Sequence, residues 1–504
     1  MLKKQECGAE AVTVQAVRRR MKDGDDTIYT EITINETRSI KATVIFIDGM
    51  VDSSSLYDFV LKPLTLEEDF TEARTERQVI EAMMRGRVYH GQRKLCETMN
   101  DALNELLFGA AIVVLDGEKK AVAFDTKGFE RRGISESTGE SVLKGSKEAF
   151  VEVLRVNTSM VRRRLLTSDL KIKQLKIGRR TNTTIAVVYI EGIANSTTVE
   201  SVIERLESVD IDGVVSAGQI ESALYENHRT IFPQALYSER PNRFVGNIIE
   251  GRVGIMIDGM PITYITPIDI HSLLQAAEDY SSHYVISSFF RALRYICAFL
   301  SLVLPAAHVS ITTFHQEMIP TKLAIAIISS KQGVPFPTYL EVILMLLAFE
   351  VLIEAGLRLP QAIAQAVSIV GALVVGQAAI AANILSPGIV IIIAVAGMAG
   401  FVVTSQDLSN VLRLLRMLLV LLSIVGGLFT VTAGLIVILY MMCSLEVFGT
   451  PYLSPLAGSE GRGMFDDTVF RRAWNKKTYR PSNIKPENIK RQRKTRDSGL
   501  GDGG

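Results

Sequence analysis

Cysteine is scarce in this chain. Four residues of 504 are cysteine (Cys7, Cys96, Cys297 and Cys443), and none forms a CxxC or a zinc-type spacing. This argues against a disulfide framework and leaves reduced thiols as the expectation. None of the six histidines stands in a ligand spacing such as HExxH, so no metal site is expected. Phosphate-binding signatures are missing too. Neither Gly139 nor Gly145 leads into a Lys-Ser or Lys-Thr pair, and there is no GxSxG elbow and no GxGxxG after a strand. Catalysis, a bound cofactor and nucleic-acid binding are therefore not expected. Residues 1–40 also lack the apolar core of a secretory signal, which predicts a cytoplasmic first half.

What is present is unevenly spread. Charged residues make up 22% of the chain, the net charge is +1 and the mean hydropathy is +0.23. Up to Tyr284 charged and apolar residues mix as in a water-exposed domain. From Val285 to Phe448 charges are sparse and apolar runs are long. A membrane helix needs ~20 apolar residues. The expected fold is thus an α/β soluble N-terminal half followed by an all-α polytopic membrane domain. The expected boundaries are a polar tail (1–27), a first α/β subdomain (28–143), a basic linker and helix (144–184), a second α/β subdomain (185–284), a transmembrane domain of about four to six helices (285–448) and a basic tail (449–504).

The N-terminal half carries two pairs of similar segments. ATVIFIDGMVDSSSL (42–56) resembles IAVVYIEGIANSTTV (185–199), each a β-branched run, an acid-Gly pair and a polar turn. AIVVLDGEKKAVAF (111–124) resembles VGIMIDGMPITYIT (253–266), each reading as strand, Asp-Gly turn, strand. Asp48 and Glu191 are 143 positions apart, and Asp116 and Asp258 are 142. The matching offsets predict two α/β subdomains of one plan. Between them, 144–180 is basic, with a helix expected over 146–166 and consecutive Arg162, Arg163 and Arg164. Such arginines suit a solvated, salt-bridged helix end or an anion or lipid-headgroup site.

In the membrane half, spans are expected at about Ser288–His308, Tyr339–Leu357, Gln361–Asn383 and Pro387–Thr404. The run Leu412–Phe448 has room for two more, turned near Gly426-Gly427. The short apolar stretch between the first two spans reads as an interfacial or re-entrant helix. The second span carries Glu341, Glu350 and Glu354, followed by Arg358. Glu350, Glu354 and Arg358 follow one another at i, i+4, so a shared face and mutual pairing are expected. In the third span Gln361, Gln365, Ser368, Ala372, Gly376, Ala379 and Asn383 fall within about 60° of one line at 100° per residue, with Val375 at its edge. A face of small and polar residues suits close helix packing, and it equally suits a water-filled pore. The tail 471–496 holds eleven Lys or Arg and one acid, Glu487. The positive-inside rule puts it in the cytoplasm, near anionic lipid. With both termini on that side, the span count is even.

Several stretches carry a family likeness: FPQALYSERPNRFVGNIIEGRVGIMIDGMPITYITP (232–267), HQEMIPTKL (315–323), GVPFPTYLEVILMLLAFEVLIEAGLRLP (333–360), SIVGALVVGQAAIAANILSP (368–387) and FGTPYLSPLAG (448–458). In this order they resemble the GerA family, the A-subunits of bacterial spore germinant receptors. Phe129 stands where the family usually has Trp, and Lys144–Phe150 departs from its Arg-Gly-Pro pattern. The resemblance implies a spore inner-membrane protein that acts with a transporter-like B-subunit and a lipoprotein C-subunit. It also implies a homo-oligomer forming a nutrient-gated ion channel that triggers germination. Two other roles suit the same residues: a paralogue encoded with the SpoVA proteins, assisting signal spread or dipicolinate release, and a transporter subunit.

Overall fold

The computed structural model describes residues 11–35, 40–66, 70, 73, 75–86, 88, 92–128, 140, 146–358, 376–456 and 468–471. The chain divides into two compact units. One holds Met1–Glu226 and Tyr237–Pro267; the other holds Asn227–Leu236 and Ile268–Lys477.

The first unit contains two five-stranded sheets. The first sheet is built from β1 (Thr27–Asn35), β2 (Ile40–Ile47), β3 (Arg93–Cys96), β4 (Ala111–Leu115) and β5 (Lys120–Phe124), in the order β1-β2-β4-β5-β3. The second uses β6 (Leu170–Ile177), β7 (Thr183–Ile190), β8 (Leu236–Ser238), β9 (Val253–Ile257) and β10 (Thr263–Thr266), in the order β6-β7-β9-β10-β8. The two orders are the same strand for strand. The helices are α1 (Val14–Arg20), α2 (Ser53–Leu56), α3 (Lys62–Leu66), α4 (Glu76–Met84) and α5 (Met99–Leu107) around the first sheet. Around the second are α6 (Leu154–Arg164), α7 (Ser196–Glu207), α8 (Ala217–Leu224) and α9 (Pro241–Glu250).

The first sheet is covered on both faces, which explains the uninterrupted apolar run of its central strand β4. Side chains alternate along each strand. Val44, Val113, Val122 and Phe124 therefore point into one core, with Leu56, Val60 and Val79. Ile45, Ile47, Ile112 and Val114 point into the other, with Val17, Met99 and Leu106.

The acid-Gly positions occupy equivalent places. The Asp48 amide donates to the Asp26 carbonyl just past β2, and the Glu191 amide donates to the Asp169 carbonyl just past β7, both at 2.8 Å. Asp116 and Asp258 each stand in the turn after the third strand of the sheet order. Their carboxylates act alike. Asp116 Oδ1 accepts from the amide of Val14 (2.9 Å), and Asp258 Oδ1 from that of Leu154 (3.0 Å). Those are the first residues of α1 and α6, where an anion satisfies an orphan N–H.

One expected boundary changes. Residues 144–184 are not a linker between subdomains. The helix there is shorter than 146–166, running from Leu154 to Arg164, and the following LKIKQLKI is β6, an edge strand of the second sheet. Its Leu170, Ile172 and Ile177 are buried, and so is Lys171, while Gln174 and Lys176 are exposed.

The second unit is helical. It contains α10 (Ile270–Leu274), α11 (Tyr284–Phe314), α12 (Thr321–Lys331), α13 (Thr338–Arg358), a helical piece at 376–381, α14 (Pro387–Phe401) and α15 (Gln406–Ser444). α11 and α15 are long and apolar enough to cross a membrane. α11, at ~1.5 Å per residue, extends ~46 Å. α15 is broken at Gly426 and Gly427, whose backbones leave the helical region. Thr430 Oγ1 reaches back to donate to the Leu422 carbonyl at 2.6 Å, and a Cβ on Gly434 would lie 2.9 Å from Leu419. In a straight helix positions 15 apart are ~22 Å apart, so the chain doubles back here as a helical hairpin. Gly427 takes a positive φ of 58° and lies under Phe314, which leaves no room for a side chain.

Candidate functional site

The buried charges carried by the apolar helices are placed by helix packing, with partners from other segments. Glu350 on α13 faces the first arm of α15. Its Oε1 accepts from Arg416 Nη2 at 2.9 Å, and its Oε2 accepts from Arg413 Nε at 2.8 Å. The Arg416 side chain is only 2% exposed. A desolvated guanidinium needs a carboxylate within reach, and Glu350 supplies both oxygens. The expected Glu350–Glu354–Arg358 ladder is thus split. Glu354 does pair with Arg358, one turn on, but this pair is largely exposed (2.6 Å).

Glu341 is fully buried at the start of α13. It lies 3.3 Å from Lys331 Nζ at the end of α12, and its Oε2 accepts from the Ser386 amide at 2.8 Å. Ser386 is the residue before α14, so Glu341 ties together the end of one helix and the beginnings of two others.

At the foot of α11, Asp279 accepts from Arg294 through both oxygens (2.7 and 2.9 Å) and from Arg291 Nε at 2.9 Å. Burial raises the pKa of this carboxyl, but hydrogen bonds and charge from Arg294, then the charge of Arg291, outweigh it and hold it below the usual carboxylate range. A lowered folded-state value means a contribution present at neutral pH and lost as pH falls below about 4. Asp279→Asn is therefore expected to destabilise the detergent-purified chain at pH 7 and to do so less at pH 3. Paired thermal melts check this, and an equal effect at both pH values would assign the loss to packing alone.

Of the small and polar stripe, Gln361, Gln365, Ser368, Ala372 and Val375 lie outside the described residues. Gly376 is buried, Ala379 is half-buried and Asn383 is exposed. Asn383 does not continue the helical line. It sits at φ 54° just past the helix. The Ile384 amide donates to the Ala379 carbonyl (2.9 Å) and the Asn383 amide to that of Ile380 (3.0 Å). This is a Schellman closure, in which Asn tolerates the left-handed position. The 100° periodicity therefore stops short of Asn383.

Sequence reasoning missed the partners Arg413, Arg416, Lys331 and Asp279. The signal for Arg413 and Arg416 was there: two cations three positions apart inside an apolar run need a buried acid.

In the first unit, Arg162 and Asp26 form a buried bidentate pair at 2.7 and 2.8 Å, with side chains 1% and 3% exposed. Arg155 Nε lies 3.0 Å from Asp48. Beside them is a polar cavity of about 200 Å³ lined by Asp52, Ser53, Ser54, Gly128, Arg155 and Ser159. Among the described residues, no group of three or more His, Cys, Asp and Glu could hold a metal ion.

A duplicated α/β module and a helical unit with membrane-length apolar helices, whose charges pair between helices, define a membrane protein with a large extramembrane portion. A sequence model of the family described as Bacillus/Clostridium GerA spore germination protein matches residues 15–483, and the chain belongs to that family. Spore germination protein KA of Bacillus subtilis (strain 168) is 37% identical over 96% of this chain and 88% of its own. Spore germination protein B1 of the same strain is 32% identical, over 95% and 98%. Among solved structures, the N-terminal domain of the A subunit of the Bacillus megaterium spore germinant receptor GerK3 is 27% identical. It covers 51% of this chain and 96% of its own, with a TM-score of 0.41.

Proposed function

We propose that this chain is the A-subunit of a germinant receptor, and that several copies surround an axis to form an ion path whose opening starts germination. The observation that carries the reading is the family match over residues 15–483, which takes in the α/β module and the helical unit together. The chain then sits as a multi-pass protein in the spore inner membrane with both termini on the core side. It works with a transporter-like B-subunit and a lipoprotein C-subunit. Interhelical pairs such as Glu350 with Arg416 support a helical unit that moves as a body, since separating them leaves a charge in apolar surroundings.

The ion path is assigned to the stripe Gln361, Gln365, Ser368, Ala372, Gly376 and Ala379, whose small middle section leaves room for water in a ring. Ala372→Leu is expected to block nutrient-triggered potassium release from spores at normal protein abundance. Val375→Ala is expected to give release without nutrient. Ion release and abundance measured together check both. Normal release from Ala372→Leu spores at normal abundance would remove this face as the conduction path. Loss of the protein itself would mark it as a packing face.

A further inference from the structure

Glu341 is held differently from the other buried acids of the helical unit. Glu350 and Asp279 each receive hydrogen bonds from two arginines, and both of their carboxylate oxygens are taken. Glu341 accepts from the Ser386 amide through Oε2. Its other oxygen, Oε1, is buried and accepts no hydrogen bond; it faces Lys331 Nζ at 3.3 Å. The same ammonium donates to the hydroxyl of Thr338, which is also buried. Thr338 and Glu341 are i, i+3 neighbours at the start of α13, so a carboxylate and a hydroxyl of one helix face share a single positive charge.

That charge comes from a helix with little hold on its surroundings. α12 buries none of its own residues, and Leu323, Ile325 and Ile328 are exposed. The Lys331 side chain is 25% exposed, against 0% for Glu341. Lys331 can therefore be withdrawn without opening a packed core. Glu341 cannot then stay bare, because an uncompensated buried carboxylate is strongly unfavourable. Another cation has to take the place of the ammonium.

The surroundings fit an ion. Gly333, just past α12, lies against Asn383, where an added Cβ would stand 3.8 Å from Asn383 Cγ. Asn383 closes the helical piece that carries Gly376 and Ala379, so Glu341 stands beside the end of the small and polar stripe. His308 of α11, half-buried, is within electrostatic range of both Lys331 and Glu341. Oxygen ligands suit a hard cation, and one carboxylate balances one charge. A lysine ammonium is a compact point charge, which a monovalent ion can replace.

We infer that the Glu341 carboxylate, with the Thr338 hydroxyl, is a binding site for a monovalent cation, filled in this state by the ammonium group of Lys331. Departure of Lys331 and entry of the ion are then one exchange. The inference rests on the ion-path reading above only for the use made of the bound ion; binding itself is measured without conduction.

The test uses the full-length chain in detergent, with potassium chloride compared against N-methyl-D-glucamine chloride at equal ionic strength. Lys331→Ala is expected to melt below the unmodified chain in N-methyl-D-glucamine and to recover as potassium is added. Half-recovery should need about tenfold less potassium than any potassium effect on the unmodified chain, where Lys331 competes for the site. Adding Glu341→Gln should abolish the potassium dependence. A second measurement needs no variant. Acylation of Lys331 in the unmodified chain, followed by mass spectrometry, should run faster in potassium than in N-methyl-D-glucamine, while Lys322 on the same helix should not change. If Lys331→Ala does not fold, this labelling alone decides. Potassium-indifferent labelling, or a potassium effect that survives Glu341→Gln, overturns the site. Potassium binding that depends on Glu341, in spores whose Ala372→Leu variant still releases potassium normally, keeps the site and removes the stripe as the conduction path.

Discussion

Glu350→Leu should remove most of the protein from the membrane, while Glu354→Leu should leave abundance close to normal. The difference follows from where each partner sits. Removing Glu350 strands Arg416, 2% exposed, and Arg413 beside it. An unpaired buried charge costs about 3–5 kcal/mol, which is a large fraction of the stability of most domains. Glu354 and Arg358 are both more than half exposed, and an exposed i, i+4 pair is worth about 0.5 kcal/mol. Glu350→Gln should fall between, since an amide still accepts one hydrogen bond from Arg416. The triple change Glu350→Leu, Arg413→Leu and Arg416→Met should recover abundance, because an apolar replacement of a buried ion cluster removes the stranded charge. Quantitative blotting of membrane fractions, with thermal melts in detergent, measures all four. If Glu350→Leu leaves abundance and melting unchanged, the pair carries no structural weight and its charge has another use.

If the triple variant is abundant yet silent in germination, the cluster has a role beyond folding. Glu350 lies midway along α13, and its partners lie one turn apart on α15. Both already donate to Glu350, so a shift of α13 along α15 would change how the carboxylate is shared between them. Helices in packed bundles move between such discrete arrangements more easily than they deform.

What could be read from the sequence was what lies close together along the chain or repeats. Asp48, Glu191, Asp116 and Asp258 marked the duplication because a tight turn after an apolar strand leaves a short, recognisable pattern. Gly426-Gly427 marked the hairpin of α15 because two glycines in an apolar run are a weak point in any helix. Partners distant in sequence stayed hidden. Glu350 and Arg413 are 63 positions apart, and helical periodicity reports only neighbours on the same helix. Asn383 misled for a related reason: the projection that placed it on a stripe assumes the helix continues, and a left-handed residue ends it. The basic stretch 144–184 hid β6 because three lysines spread over both faces of LKIKQLKI break the period-2 pattern by which a strand is read.

The second large effect should come from Asp26. Asp26→Ala leaves Arg162 in a site where its side chain is 1% exposed. About 3 kcal/mol or more is again at stake, but here the loss should appear as uncoupling of the two α/β subdomains. Backbone amides donate across the junction beside it: that of Asp25 to the Ile172 carbonyl at 3.0 Å, and that of Gln174 to the Asp25 carboxylate at 2.7 Å. These amides exchange with solvent only when the subdomains part. Asp26→Ala should therefore speed exchange at Asp25 and Gln174 by roughly 100-fold, the equivalent of ~3 kcal/mol. Amides inside β4 and β9, which each subdomain holds for itself, should change far less. A double change, Asp26→Leu with Arg162→Met, should bring exchange at the junction back toward the starting rate. Faster exchange spread evenly over both sheets would mean that the pair supports the fold of one subdomain. Faster exchange confined to the junction would mean that Asp26 and Arg162 hold two otherwise independent bodies in one arrangement. Arg155 with Asp48 and the bonds at Asp25 would then follow the same movement.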